Sequence, residues 1–310
     1  MCLKKWLIKS AVISVFLFFP CSCARRTENP PQALASATET RGGVIDALGR
    51  RYAQNETPRR IVSLSPAVTE ILFAIGAGDK VVGVTQYCDY PPEAKTKTSV
   101  GGFSGATMSM ELIRVLEPDL VILSADMHGR IVSLLDELGI SSFAVEPGNF
   151  SEVYGVIALL GEISGCSAGA DKVIAEMKAK IAGVEERVRG QEKRGVFWIL
   201  SEDPLMTAGR DTFISEAISL AGGRNIFDDV PEQWPLVSPE QVLLRKPEWI
   251  LIGSDMAVSG QIFSGSAVWK TIPAVREGRL AFVDGDLLYR YGPRLADAVA
   301  LLAEIFYPHL

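Results

Sequence analysis

SMELIRVLEPDLVIL, Ser109–Leu123, and SPEQVLLRKPEWILI, Ser238–Ile252, are one pattern written twice. Each copy runs serine, any residue, glutamate, an apolar stretch, proline, an acid, and an apolar run. A helix followed by a strand fits it. Ser109 and Ser238 are N-cap candidates, able to accept from orphan N–H groups of the first turn. In the second copy Pro239 takes the first helical position and Gln241 completes a capping box. The apolar runs that follow read as buried strands. Two readings of Glu111 and Glu240 stand side by side. The helix dipole favours an acid in the first turn, by about 0.3–1 kcal/mol. Alternatively, two equivalent lobes present two like-placed acids to one pseudo-symmetric partner.

Outward from the repeat, the same alternation fills both halves of the chain. In the first, strands are expected at Arg60–Leu64, Lys80–Val84, Leu120–Leu123 and Ser142–Val145. A helix capped by Ser65 and started by Pro66 carries Val68, Ile71, Leu72 and Ile75 at helical spacing and ends at Gly76 and Gly78. Another helix is expected near Arg130–Leu138. In the second half, strands are expected at Gly195–Leu200, Trp249–Ile252 and Leu280–Val283. Helices are expected at Phe213–Leu220 (closed by Gly222 and Gly223), near Val268–Ile272, and from Pro293 to Phe306. Alternating strand and helix predicts an α/β protein with mostly parallel sheets covered on both faces. Between the halves, Ala170, Val173, Ile174, Met177, Ile181, Val184 and Val188 form an apolar stripe. They predict one long helix of about 20 residues, roughly 30 Å, acting as a rigid strut between two lobes. The expected organisation is residues 43–150 as first lobe, 151–193 as helical connector and 194–310 as second lobe.

The beginning of the chain reads differently. Lys4, Lys5 and Lys9 precede the apolar run Ala11–Phe19, and Pro20, Cys21, Ser22 and Cys23 follow. A charged start, a short apolar core and a small-residue exit make an export signal, residues 1–23. Residues 24–42, rich in Glu, Thr, Ser, Ala, Pro and Gln, read as a flexible tether. Cys88 and Cys166 remain in the body, and their spacing alone establishes no disulfide. The 310 residues are 48% hydrophobic and 22% charged, with net charge −6. That balance leaves room for two cores and speaks against non-specific nucleic-acid binding.

RIVSLSPAVTEILFAIGAGDKVVGV, QYCDYPPEAK, SMELIRVLEPDLVI and WPLVSPEQVLLRKPEWILI, in that order, resemble the periplasmic binding proteins of ABC importers for cobalamin and iron complexes. The likeness covers roughly Gly43–Leu310 and points most to the cobalamin-binding branch. It implies two α/β lobes around a cleft, a rigid connecting helix, and delivery of a large complex to a membrane permease. It implies that Glu111 and Glu240 dock against arginines of the permease's transmembrane dimer. Tyr87, Phe103, Trp234 and Asp286 match ligand contacts of that branch. Ser124 and Met206 stand where rings are expected, and these two departures bear on the choice of ligand. The cysteines at the signal exit resemble a bacterial lipoprotein site, with Cys23 the acylated residue. The resemblance thus implies a monomer held by a lipid anchor in the periplasm or on the outer face of the cytoplasmic membrane.

Other readings are weaker or narrower. No GxxxxGK[ST], GxSxG or HExxH motif occurs, so neither an enzyme nor a bound cofactor is expected. Two histidines, His128 and His309, are too few for a metal-capturing cluster. His128, in SADMHGR, lies in a loop expected to face the cleft, either touching a ligand or simply solvated. An anionic ferric siderophore or haem would call on arginine, and Arg130, Arg210, Arg290 and Arg294 are the candidates. A corrinoid would call on flat rings. A sensory or accessory surface lipoprotein of the same fold is a further reading.

Overall fold

The computed structural model describes residues 43–53, 56–102, 104, 106–253, 262–263 and 267–310. The signal with Cys21 and Cys23, the tether, and Phe103 lie outside the described residues. Two wholly parallel sheets carry the architecture. The first has the order Thr98–Ser99, Val81–Val84, Ile61–Ser63, Leu120–Ser124, Ser142–Val145. The second has the order Gly223–Asn225, Arg194–Ile199, Trp249–Gly253, Leu280–Val283.

The repeat occupies the same place in each lobe. Its helix is Met110–Val115 in one and Pro239–Arg245 in the other. Ser109 accepts from the backbone of Leu112, and Ser238 and Gln241 form the capping box. Both helices end at a left-handed residue just before the repeated proline, Glu117 (φ 44°) and Lys246 (φ 49°). The acid after that proline clips the unit to the central strand. Asp119 accepts from the backbone N–H groups of Arg59 and Arg60 at 2.7 and 2.8 Å. Glu248 accepts from the backbone of Gly195 and from the guanidinium of Arg194. The Pro–acid step is therefore a structural device, explained without any ligand.

Strand residues alternate between two cores. Ile61, Leu120, Ile122, Val196, Trp198 and Leu251 face a core shared by both lobes. Val62, Val121 and Leu123 face a second core, on the outer side of the first lobe, with Ile113 of the repeat helix. Phe197, Ile199, Ile250 and Ile252 face its counterpart in the second lobe, with Val242. Sheets buried on both faces need unbroken apolar strands, which is what the sequence carries.

The connector is two helices rather than one. Phe150–Ser164 is capped by Asn149 and ends at Gly165 in the left-handed region, φ 71°. Ser167–Arg187 follows and bears the apolar stripe, with Ala170, Val173, Met177, Ile181 and Val184 buried in the shared core. At 21 residues it spans roughly 30 Å. It approaches its neighbours closely: a Cβ on Gly161 would lie 2.5 Å from that of Ala170, and one on Gly169 would lie 2.1 Å from the carbonyl oxygen of Ile75. Such contacts leave little room for sliding and suit a strut.

Other details depart from the sequence-based expectation. Gly223 opens an edge strand instead of closing the preceding helix. The segment near Val268–Ile272 is a single 3₁₀ turn, Trp269–Thr271. The last helix starts at Leu295, after a short helical turn at Asp286–Tyr289. Among the described residues, no helix is long and apolar enough to cross a membrane.

Candidate ligand-binding cleft

Loops leaving the carboxyl ends of both sheets meet each other, the usual place for a ligand in open α/β folds. On one side an ion-pair network joins the lobes. Glu70 lies in helix Pro66–Ala74 within an otherwise apolar stretch, and its side chain is only 1% exposed. It pairs with Arg290 at 2.9 Å and with Arg294 at 2.6 Å, two residues some 220 positions further along the chain. Arg290 also meets Asp89 at 2.8 Å and Asp286 at 2.5 Å, and donates to the carbonyl of Tyr87 at 3.3 Å. Arg294 lies 3.6 Å from Asp284 and stacks over the ring of Tyr90. Four carboxylates thus share two guanidinium groups, which leaves a surplus of negative charge.

That arrangement sets the ionisation of its members. Burial works against ionised Asp89, yet the hydrogen bond and charge of Arg290 outweigh it and hold the carboxyl below its usual range. Burial pushes Asp286 up, the nearby acids Asp89 and Asp284 add to this, and Arg290 opposes it. Burial also penalises the charge on Arg290 and Arg294, but their carboxylate partners more than compensate and hold both protonated.

A second contact crosses the lobes at Tyr291. Its phenol is buried beside Ser65 and Ser124, and burial followed by the charge of Glu146 pushes its pKa far up. Glu146 follows strand Ser142–Val145 and accepts from Ser124 Oγ at 2.5 Å and from the backbone of Asp126 at 3.1 Å. Burial raises its pKa, and these two bonds only partly offset the rise. The native state therefore binds the Glu146 proton more tightly than the unfolded chain does. The contribution is destabilising above the raised pKa, so stability falls as pH climbs from the unfolded value of about 4.5 through that point. Glu146→Gln is expected to flatten this slope and raise the urea midpoint at neutral pH. Parallel unfolding curves for the two proteins across that range would contradict it. A third contact runs from the backbone N–H of Phe150 to Glu216 at 2.8 Å.

The residues matched by resemblance fall on these loops with different exposure. Tyr87 is 44% and Trp234 is 37% exposed, so both keep ring surface available. Trp234 is fixed on either side: Gln233 accepts from the backbone of Gly209, and Pro235 from that of Thr207. Met206 is half-buried at the end of a two-residue strand and bridges to Leu236. Ser124 is buried and committed to Glu146. Asp286 is bound to Arg290 and half-exposed.

Three sequence-based expectations change. Arg290 and Arg294 were expected as cations for an anionic ligand, but protein carboxylates already hold both. His128 was expected in a cleft-facing loop, yet it is 1% exposed and ends a short helix, its Nδ1 accepting from the backbone of Ser124 at 3.3 Å. Arg130 and Arg210 are both exposed, and Arg210 lies 3.6 Å from its neighbour Asp211. The residues not singled out from sequence are Glu70, Asp89, Tyr90, Glu146 and Tyr291. The one signal for them was Glu70, a carboxylate between Thr69 and Ile71 on an apolar helix.

Comparisons with known proteins bear on the family and the fold. Residues 61–287 match the family model described as periplasmic binding protein. An ABC transporter substrate-binding lipoprotein of Bacillus subtilis, YvrC, is 34% identical over 273 residues, covering 86% of this chain and 85% of its own. The periplasmic vitamin B12 binding protein BtuF of Vibrio cholerae superposes with a TM-score of 0.70 at 30% identity, over 81% of this chain and 98% of that one. The periplasmic heme-binding protein RhuT of Roseiflexus sp. RS-1 superposes with a TM-score of 0.72 at 27% identity, over 81% and 98%. With most of its length matched by the family model and by a relative above 30% identity, the chain belongs to the periplasmic binding protein family.

Proposed function

We propose that this protein is the substrate-binding component of an ABC importer and holds a corrinoid between its lobes. Residues 43–150 and 194–310 are the lobes in this reading, and 151–193 the connector. Tyr87 and Trp234 supply ring faces from opposite lobes, with Phe103 and Met206 completing the lining and Asp286 accepting from the ligand's amide edge. Ser124, buried and bonded to Glu146, offers the ligand no side chain. The observation that carries the choice of ligand is the state of the cleft arginines. Arg290 and Arg294 are matched by four carboxylates, while two large rings stay half-exposed. A neutral, flat, amide-bearing ligand suits such a surface, and an anion does not. Haem or a ferric siderophore is the second reading. It rests on exposed Arg210 and on the likeness to heme-binding RhuT.

Export and lipidation at Cys23 complete the proposal and would keep the protein, a monomer, next to its permease. Glu111 and Glu240 are the docking acids. Both are exposed, and the local backbone N–H, with the Ser238 side chain second, holds the Glu240 carboxyl below its usual range. Reversing both charges, Glu111→Lys with Glu240→Lys, is expected to leave cyanocobalamin affinity within about twofold while cutting cellular uptake tenfold or more, since such rim charges mainly govern encounter and registry. Unchanged uptake would favour the sensory or accessory reading instead.

A further inference from the structure

The two most exposed large apolar side chains among the described residues are Leu244, at 79%, and Val115, at 69%. They occupy the same position of the repeat, one in each lobe. Each lies four residues after its lobe's docking glutamate, so acid and aliphatic group share one helix face, about 6 Å apart at their Cβ atoms. The opposite face is buried through Ile113 and Val242. A single exposed aliphatic residue needs no explanation. Two at one repeated position, each beside a repeated acid, do. The structural needs of the unit do not supply one. The serine caps the helix, the left-handed residue ends it, and the Pro–acid step clips it to the strand, whereas Val115 and Leu244 project into solvent.

We infer that Val115 and Leu244 are paired apolar pegs of the docking surface. Their partner is a two-fold symmetric membrane permease that offers, on each subunit, a cation and an apolar recess one helical turn apart. This rests on the importer reading and adds to it a contact that charge alone does not supply. The repeat itself argues for that occupant, because two like-placed acid–aliphatic pairs in one chain fit a partner whose own two subunits are alike. A second copy of this chain would set Glu111 and Glu240 against carboxylates. An anionic lipid surface would meet the same repulsion. The division of labour is the usual one: charges speed encounter, and buried apolar groups slow dissociation.

The test uses the full-length protein loaded with cyanocobalamin and the permease–ATPase complex in nanodiscs. Val115→Ser with Leu244→Ser is expected to speed dissociation about tenfold, with the salt dependence of association unchanged. Glu111→Gln with Glu240→Gln is expected to slow association and weaken its salt dependence. Leu134→Ser, an exposed leucine outside the repeat, should change neither. Ligand affinity measured on each variant confirms that it is folded. If the aliphatic pair leaves dissociation within about twofold while the glutamate pair impairs docking, the peg inference is wrong and permease docking stands. If neither pair affects docking, the docking reading falls together with the inference. A wild-type dimer in sedimentation that Val115→Ser with Leu244→Ser dissolves would assign the pegs to a second copy and overturn the proposal.

Discussion

Tyr87→Ala combined with Trp234→Ala is expected to weaken cyanocobalamin binding by roughly a hundredfold to a thousandfold. A tyrosine or tryptophan offers about 150–250 Å² of surface. With 44% and 37% of these two rings still accessible, a ligand covering both would bury on the order of 150–200 Å². At about 25 cal/mol per Å², that is roughly 4–5 kcal/mol, a ceiling of about a thousandfold or somewhat more in affinity, from which the ordering of the site subtracts. The rings contribute little to the cores, so the urea midpoint should move by less than about 0.5 kcal/mol of stability. Each single variant should lose about half of the effect, provided both rings touch the same ligand. Equilibrium titration checks this, and binding within twofold of the wild type would remove both residues from the site.

Arg290→Met should give the largest loss of stability of any cleft substitution. Breaking a buried pair by removing one partner costs about 3–5 kcal/mol, because the other charge stays buried without compensation. Arg294 remains beside Glu70, so the lower end, about 3 kcal/mol, is expected. The half-exposed carboxylates Asp89 and Asp286 can turn to water and add little. Adding Glu70→Gln to Arg290→Met should cost less than the sum of the two single losses, since both break the same pair, although Arg294 then gives up its buried partner. Arg290→Met also removes the Arg290 bond to the Tyr87 carbonyl and the ion pair that holds Asp286, so affinity for the ligand should fall as well. Urea midpoints of the two single variants and the double variant measure the coupling. An unchanged midpoint for Arg290→Met would mean that the network does not hold the lobes together.

How much of this was legible depends on the range of the interaction. Caps, turns and periodicity act within a few residues, so Ser109, Ser238, Gln241 and the strand runs around Ile122 and Leu251 declare themselves in sequence. The repeat does too, because both copies solve the same problem of covering one face of a parallel sheet. Glu70 shows the limit. Its partners lie more than 200 residues away, and nothing local distinguishes a buried ion pair from an arginine awaiting an anion. The same holds for Asp286, whose match to a ligand contact gave no hint of Arg290 four residues later. His128 was misjudged because a short helix folds the expected loop back onto Ser124. The helix Phe150–Ser164 escaped notice because its apolar residues merge into the connector, where Gly165 marks a break that periodicity alone does not show.

The central claim is that the cleft takes a neutral corrinoid through its rings and has little use for anionic chelates. The most direct test is calorimetric titration of the purified mature protein with cyanocobalamin, alongside haem and a ferric siderophore under identical conditions. The account predicts saturable one-to-one binding of cyanocobalamin, with the two anionic complexes at least about a hundredfold weaker, a difference of roughly 3 kcal/mol. Tight binding of haem or the siderophore with no response to cyanocobalamin would contradict it, and would move the site from Tyr87 and Trp234 toward Arg210.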